Sequence, residues 1–202
     1  MKLYVLGLLV CVLAVAYLQP AQAKIVISEK DRYFSVSGKN GKQIYTQIKR
    51  KRPASLRNVR AIAATHARYK FNRTKVGIRK NRCVVTKVDI RVSLTYYYPK
   101  WANTKSGSRS MQRKWRAFES ELHRHEKTHG EIYREAAKFV DRELRKMSGR
   151  ASLGCSRFHT SVKRKIKVMQ KKMLDKHKKF DRREQRSNSK IKRLEKAFLR
   201  AR

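Results

Sequence analysis

The chain has 202 residues and a formal net charge of +40, and its length suits one domain with a modest core. So high a positive charge predicts attraction to anionic partners, such as an acidic peptide or protein substrate, an anionic envelope polymer or a membrane surface, and it is compatible with an enzyme. No motif that reads base sequence is recognisable, which argues against sequence-specific binding of nucleic acid.

Residues 1–23 have the pattern of a secretory signal peptide. Lys2 forms a short positive region, residues 3–17 form an apolar core, and Ala21, Gln22 and Ala23 form a small-x-small cleavage site. The apolar stretch is short for a membrane span. We therefore expect cleavage after Ala23 and a secreted or periplasmic protein of 179 residues, with a net charge of +39 once Lys2 is removed.

The mature chain keeps two cysteines, Cys83 and Cys155. In an oxidising compartment a single disulfide between them is the default expectation. It would close a loop of about 70 residues, which the chain-entropy model values at about 4 kcal/mol before native strain is subtracted. Neither cysteine has a partner at metal-site spacing, so neither is predicted to be a ligand.

The first half of the mature chain predicts one helix among strands. Residues 33–38 resemble a short strand, and residues 42–52 carry apolar residues at helical spacing before Pro53. Residues 61–71 and 84–98 then alternate between apolar and polar positions. Such alternation is typical of an antiparallel sheet with one solvated face, and we expect an edge of this sheet to align an extended substrate.

Residues 111–147 predict one long helix, with Ser110 as its N-cap and Gly149 just past its end. Its apolar stripe is continuous only when His125 and His129 are included as members of it. Gly130 costs about 1 kcal/mol relative to alanine in mid-helix, so we expect another segment to approach closely there, or a kink.

His125, Glu126 and His129 form a His-Glu-x-x-His sequence on this helix. Residues four apart share a helix face, so the two imidazoles can bind one Zn²⁺ ion while Glu126 acts as general base toward the attacking water. The alternative is a pair of core histidines satisfied by hydrogen bonds. A zinc site is the preferred interpretation because both histidines lie on the face that the apolar stripe predicts to be buried.

The chain becomes more basic after Cys155. Residues 162–180 predict a helix, residues 187–189 a linker, and residues 191–199 a short basic amphipathic helix. Such a helix suits an anionic membrane surface or nucleic acid. The alternative is a partly disordered, solvated extension.

Several features, in this order along the chain, resemble a known family. They are the aromatic-x-Val-x-Gly start at residues 34–38, the Cys83 strand, the Tyr-Pro-Lys-Trp stretch at 98–101, Trp115, the His-Glu-x-x-His sequence and Cys155. Together they resemble the bacterial domain-of-unknown-function family described as predicted secreted zinc-dependent proteases, over roughly residues 32–187. The expected fold is α+β and zincin-like, with a small antiparallel sheet packed against the long helix. The expected units are a signal peptide (1–23), a protease domain (24–186) and a basic helical tail (187–202).

A tetrahedral catalytic zinc site needs a third protein ligand. The metzincin continuation is excluded, because it would place glycine at position 132 and histidine at position 135, where the chain has Ile132 and Glu135. The remaining candidates are His159, Asp175, His177, Asp181 and Glu184. Similar family members carry an aromatic-Asp-x-x-Thr-x-His-Gly segment. This chain keeps Phe180 and Asp181 but has Glu184, Arg186 and Ser187 at the Thr, His and Gly positions. If the resemblance implies that this histidine binds the metal, either Asp181 or Glu184 replaces it here or the site is damaged, and Asp181 is the preferred candidate.

The leading hypothesis is an exported zinc metallopeptidase that hydrolyses peptide bonds. The alternative is a non-catalytic, strongly basic protein of the cell envelope, in which a metal site is structural or vestigial and the positive charge binds anionic polymers.

Overall fold

The computed structural model describes residues 24–57, 61–151 and 154–202, so the predicted signal peptide lies outside the described residues. The fold is α+β, as predicted. Its elements in chain order are β1 (Lys24–Val36), α1 (Gly41–Lys51), α2 (Ala54–Arg57), β2 (Ala64–Arg79), β3 (Arg82–Trp101), a 3-10 turn (Thr104–Ser106), α3 (Arg109–Arg145), β4 (Ser148–Arg150), α4 (Ser156–Glu184) and α5 (Lys190–Leu199).

The sheet is mixed, and β3 is its central strand. β2 pairs with β3 antiparallel, whereas β1 pairs with β3 parallel on the other side, and β4 pairs antiparallel with the first residues of β3. The prediction of an antiparallel sheet was therefore wrong for β1. Alternation of apolar and polar residues indicates that one face of the sheet is covered, but it does not distinguish parallel from antiparallel strands.

β1 is also longer than the strand predicted at residues 33–38. Its first half is rich in charge, and its inward positions include Glu29 and Asp31 rather than apolar residues. Both acids face α3, where Glu29 forms an ion pair with Arg134 and Asp31 lies 3.2 Å from the amino group of Lys127. At these positions charged residues that pair with α3 replace apolar ones. The alternation of apolar and polar residues by which a strand is recognised in a sequence is therefore interrupted.

β2 and β3 form a hairpin whose turn residues, Lys80 and Asn81, have positive φ angles of 46° and 56°. Two successive left-handed residues make the tight turn whose twist matches that of the flanking strands. The hairpin thereby fixes the register of β2 against β3.

α3 covers one face of the sheet. Alternate residues of β3, from Val88 to Tyr98, are buried beneath it, and its own stripe includes Met111, Trp115 and Phe118. Ser108, two residues earlier than expected, caps the helix by accepting a hydrogen bond from the backbone N–H of Met111. At the other end Gly149 lies in β4.

Gly130 lies where α3 comes closest to β3. A Cβ atom at this position would lie 2.0 Å from the hydroxyl oxygen of Tyr96. This confirms the expected close approach of another segment, and it explains why glycine occupies the middle of a long helix.

α4 is joined to the sheet by a disulfide between Cys83 on β3 and Cys155 just before the helix, as predicted. Parts of α4 are loosely packed, since its apolar residues Val168 and Leu174 are about half exposed to solvent. The buried residues of α4 are Phe158, Val162, Met169, His177 and Phe180.

α5 lies within residues 187–202, the stretch predicted as a basic tail, and it packs on α3. Phe198 is fully buried against Trp115 and Phe118. The end of α5 meets the starts of two other helices: the carbonyl of Ala201 accepts from the backbone N–H of Gly41 at 3.0 Å, and that of Arg202 from the hydroxyl of Ser108 at 2.9 Å. Across the described ranges, no helix combines the length and the apolar character that a membrane span requires.

Candidate metal centre

His125 and His129 lie one turn apart on the face of α3 that meets the end of α4. Their ring centroids are 4.9 Å apart, and both rings contact Phe180. The side chains are only 15% and 12% exposed. The helical spacing read from the sequence thus places both imidazoles together at a partly buried contact between two helices.

Asp181 on α4 joins the two histidines. Its Oδ1 atom lies 2.9 Å from Nε2 of His129 and 3.5 Å from Nε2 of His125, and one ligand atom from each of the three residues falls within 4.8 Å of the others. Donor atoms of a tetrahedral zinc ion at its usual bond lengths are about 3.3 Å apart. Two imidazoles and a carboxylate at this spacing fit Zn²⁺ in both chemistry and geometry.

The charge state of Asp181 suits a metal ligand. Burial raises the pKa of its carboxyl group, but hydrogen bonds to His125 and His129 outweigh burial and hold that pKa well below the usual range for aspartate. Asp181 is therefore ionised at neutral pH and offers a negatively charged oxygen. Phe180, packed beneath both imidazoles, anchors the residue that follows it, Asp181.

His177 contacts the far side of His129. The Nδ1 atoms of the two rings are 2.8 Å apart. Burial, with a smaller contribution from His129, lowers the pKa of His177 to about 4, so His177 is neutral at physiological pH. A neutral His177 can accept the Nδ1 hydrogen of His129, and this tautomer would free Nε2 of His129 to bind a metal ion in place of its hydrogen bond to Asp181.

A carboxylate lies beside the corresponding nitrogen of His125. Oε2 of Glu184 is 3.7 Å from Nδ1 of His125, and Glu184 also forms an ion pair with Arg124. Arg124 is in turn 2.6 Å from the buried Glu121, which contacts Lys190 of α5 at 2.9 Å. A carboxylate behind a ligating histidine is the usual means of fixing the orientation of its ring.

The other two candidates for a third ligand lie elsewhere. His159 is in the first turn of α4, about 33 Å from Asp181 along a straight helix. Asp175 is exposed, two turns before Asp181. Of the five candidates, only Asp181 therefore joins the histidine pair within the cluster. His177 and Glu184 lie behind the two histidine rings, and His159 and Asp175 lie outside the cluster.

Glu126 is nearly inaccessible to solvent, with 4% of the residue exposed. The hydroxyl of Thr65, on β2, lies 2.8 Å from Oε2 of its carboxylate and 2.9 Å from its backbone carbonyl. Burial raises the pKa of Glu126, and this effect outweighs the lowering by His125 and by the Thr65 hydrogen bond. A carboxylate whose pKa is raised holds a proton more readily than an exposed carboxylate does, which suits a group that accepts and then returns a proton.

Thr65 was missed from the sequence, because it is separated from Glu126 by 61 residues and lies in a strand whose only local signal is alternation. Contact across such a separation has no short-range signature. The same is true of the contact between His177 and His129.

A cavity of about 380 Å³ opens beside His125 and Glu126. Its apolar lining comes from three separate parts of the chain, and its polar lining includes Glu184, Gln185, Lys192 and Glu195. The apolar lining residues are Ala61, Ile62 and Ala63 before β2, Phe118 and Leu122 on α3, and Ile191 on α5.

Residues 31–188 match the profile of DUF922, described as a bacterial protein of unknown function. The chain belongs to this family. Searches among curated proteins and among solved structures gave no significant match. The family description carries no activity, so a function for the chain has to be argued from the residues of the metal centre.

Proposed function

We propose that the protein is an exported, zinc-dependent metallopeptidase of zincin-like architecture. The observation that carries this proposal is the joining of His125, His129 and Asp181 into one cluster next to the buried carboxylate of Glu126. When bound, Zn²⁺ would supply a Lewis acid that polarises the scissile carbonyl and makes water a competent nucleophile at neutral pH.

In this proposal His125, His129 and Asp181 hold the metal through two nitrogens and one oxygen, which leaves a fourth position for the reaction. His177 and Glu184 orient the two imidazoles from behind. The ligands come from two helices, so the packing of α4 on α3 sets the shape of the site.

Glu126 is the proposed general base. Its raised pKa suits removal of a proton from the attacking water, followed by delivery of that proton to the leaving amine. The Thr65 hydroxyl holds Oε2 and so limits rotation of the carboxylate. Thr65 is therefore proposed as a positioning residue.

Two further features support a peptide substrate. The 380 Å³ cavity beside Glu126 is suited to an apolar side chain next to the cleaved bond. β2, which carries Thr65, pairs with β3 along one side, so its other edge is proposed to hold an extended substrate by strand addition. The disulfide and the predicted signal peptide support export.

The proposal is tested by zinc content and peptide hydrolysis of four purified proteins. We expect the unaltered chain to hold close to one zinc ion and to hydrolyse peptides. Glu126→Gln should keep the zinc and lose hydrolysis by about 10²-fold or more, whereas His129→Ala should lose the zinc as well. His159→Ala, which removes a histidine far from the cluster, is the matched control and should change neither. Retained hydrolysis in Glu126→Gln, or retained zinc in His129→Ala, would contradict the proposal.

The third ligand has its own test. Asp181→Ala should weaken zinc binding, while Asp175→Ala, an exposed aspartate on the same helix, should leave it unchanged. Equal zinc affinity in the two variants would show that Asp181 is not a ligand.

A further inference from the structure

The face of the sheet that is turned away from α3 is polar and rich in cations. Strand register places its residues in three rows across β1, β3 and β2. The rows are Ser28, Ser93 and Arg68; then Lys30, Thr95 and His66; then Arg32, Tyr97 and Ala64. In the first two rows the central strand offers the hydroxyl groups of Ser93 and Thr95. The outer strands carry Ser28 and Arg68 in the first row, and Lys30 and His66 in the second.

The cations of this face lack acidic partners. Lys30, Arg32, Arg68, Lys70 and Arg91 are all exposed, and none of them forms an ion pair with another described residue. Asp89 is the one acid among the described strand residues of this face, and Lys87 lies 3.4 Å from it. Elsewhere on the sheet the acids of β1 are paired, since Glu29 and Asp31 meet Arg134 and Lys127. The open face therefore carries uncompensated positive charge.

The same face is concave. A cavity of about 810 Å³ follows it and is lined by residues of all three strands. Its lining also includes Glu29, Thr65, Ala67 and Leu94, at positions that face α3, and Tyr133 of α3 itself. The lining residues from the open face are Ser28, Lys30, Arg32, His66, Arg68, Ser93, Thr95 and Tyr97. Because neighbouring strands lie about 4.8 Å apart, the outer cations flank a floor of hydroxyls across a groove about 10 Å wide. We call these eight residues the basic groove.

We infer that the basic groove binds an anionic polysaccharide, with the glycan chain lying along the strands. The outer cations would pair with its acidic groups, and arginine forks suit carboxylates in particular. The hydroxyls of Ser93 and Thr95 match the donor and acceptor pattern of sugar hydroxyls. The eight side chains of the basic groove lie on the opposite face of the sheet from His125, Glu126 and His129, so the inference does not rest on the proposed peptidase.

The aromatic content of the groove favours a glycan over single-stranded nucleic acid. Non-specific binders of single strands combine a basic groove with a series of aromatic platforms on which successive bases stack. The basic groove has two rings, Tyr97 and His66, whose centroids are 5.1 Å apart, so they form a single contiguous platform. One platform suits contact with one sugar and gives no repeated stacking.

The inference is tested by binding of a fluorescent oligogalacturonate, beside inorganic polyphosphate and a single-stranded oligothymidylate as comparison probes. The groove variant is Lys30→Gln/Arg32→Gln/Arg68→Gln, all at exposed positions. The matched control is Arg157→Gln/Lys163→Gln/Arg164→Gln, which removes the same charges from exposed positions of α4. Affinity for the oligogalacturonate should fall about tenfold in the groove variant and by less than about threefold in the control. Thermal unfolding verifies that both variants remain folded.

Tyr97→Ala separates sugar recognition from simple charge attraction. We expect it to weaken binding of the oligogalacturonate several-fold and to leave binding of polyphosphate unchanged. Equal losses in the groove variant and the α4 control would overturn the inference, because binding would then follow net charge alone. A greater loss for oligothymidylate than for oligogalacturonate, in either the groove variant or Tyr97→Ala, would overturn it in favour of nucleic acid.

Discussion

The two helices that form the candidate metal centre are held in place in different ways. α3 lies along the buried face of β3, and its aromatic stripe is packed on both the sheet and α5. α4 is tied to the sheet by a disulfide at its start and meets α3 through Phe180, Asp181 and Glu184 at its end, with exposed apolar side chains between. The histidine pair thus lies on the helix that packs against the sheet, whereas the position of Asp181, the proposed third ligand, depends on how one more weakly packed helix is docked.

Removal of the disulfide should produce the largest effect, and it should act through α4. The variant Cys83→Ser/Cys155→Ser frees a loop with a sequence separation of 72 residues. We expect the free energy of unfolding to fall by up to about 4 kcal/mol, measured by urea denaturation at equilibrium, with weaker zinc binding. The unaltered protein in a reducing agent is the control and should show the same loss. An unchanged stability would mean that non-covalent packing alone holds α4.

Gly130→Ala tests the packing of α3 on the sheet. Alanine gains about 1 kcal/mol in helix propensity, but its methyl group would meet the Tyr96 hydroxyl at 2.0 Å. Because this crowding costs more than the propensity gains, we expect a net loss of about 1–2 kcal/mol in thermal or urea unfolding. In a Tyr96→Phe background the loss should shrink. A stabilising Gly130→Ala substitution would show that α3 can shift relative to β3.

Glu184→Gln should have the smallest effect, and it tests the contact between the two helices at the cluster. The substitution removes the negative charge behind His125 and breaks the ion pair with Arg124. We expect zinc affinity to fall about tenfold, with stability little changed. Glu135→Gln is the matched control, since Glu135 also links α3 to α4 through Lys176, at 3.8 Å, but is remote from the cluster. Equal zinc affinities in the two variants would exclude an orienting role for Glu184.

The features that were predicted correctly from the sequence are those that depend on local periodicity. The length of α3, the common face of His125 and His129, and the close approach at Gly130 all follow from the 3.6-residue repeat and from the cost of glycine in a helix. The strand residues of β3 were also predicted, because its two faces differ so clearly in polarity.

The features that could not be predicted from the sequence depend on contacts between segments that are distant along the chain. The parallel pairing of β1 was missed because Glu29 and Asp31 occupy inward positions whose partners lie on α3. Asp181 was one of five candidates, and the resemblance rather than any spacing favoured it. Thr65 was not anticipated at all, since its role exists only once β2 is placed against α3.

The junction at the end of α5 bears on how so basic a chain stabilises its helices. The first turns of α1 and α3 contain no acidic residue, although a helix start carries a partial positive charge that acids usually offset. The carbonyls of Ala201 and Arg202, just past the end of α5, accept hydrogen bonds from Gly41 and Ser108 at those two starts. The negative ends of backbone peptide dipoles therefore lie against the positive ends of two helices, and they supply part of the compensation that few carboxylates are present to give.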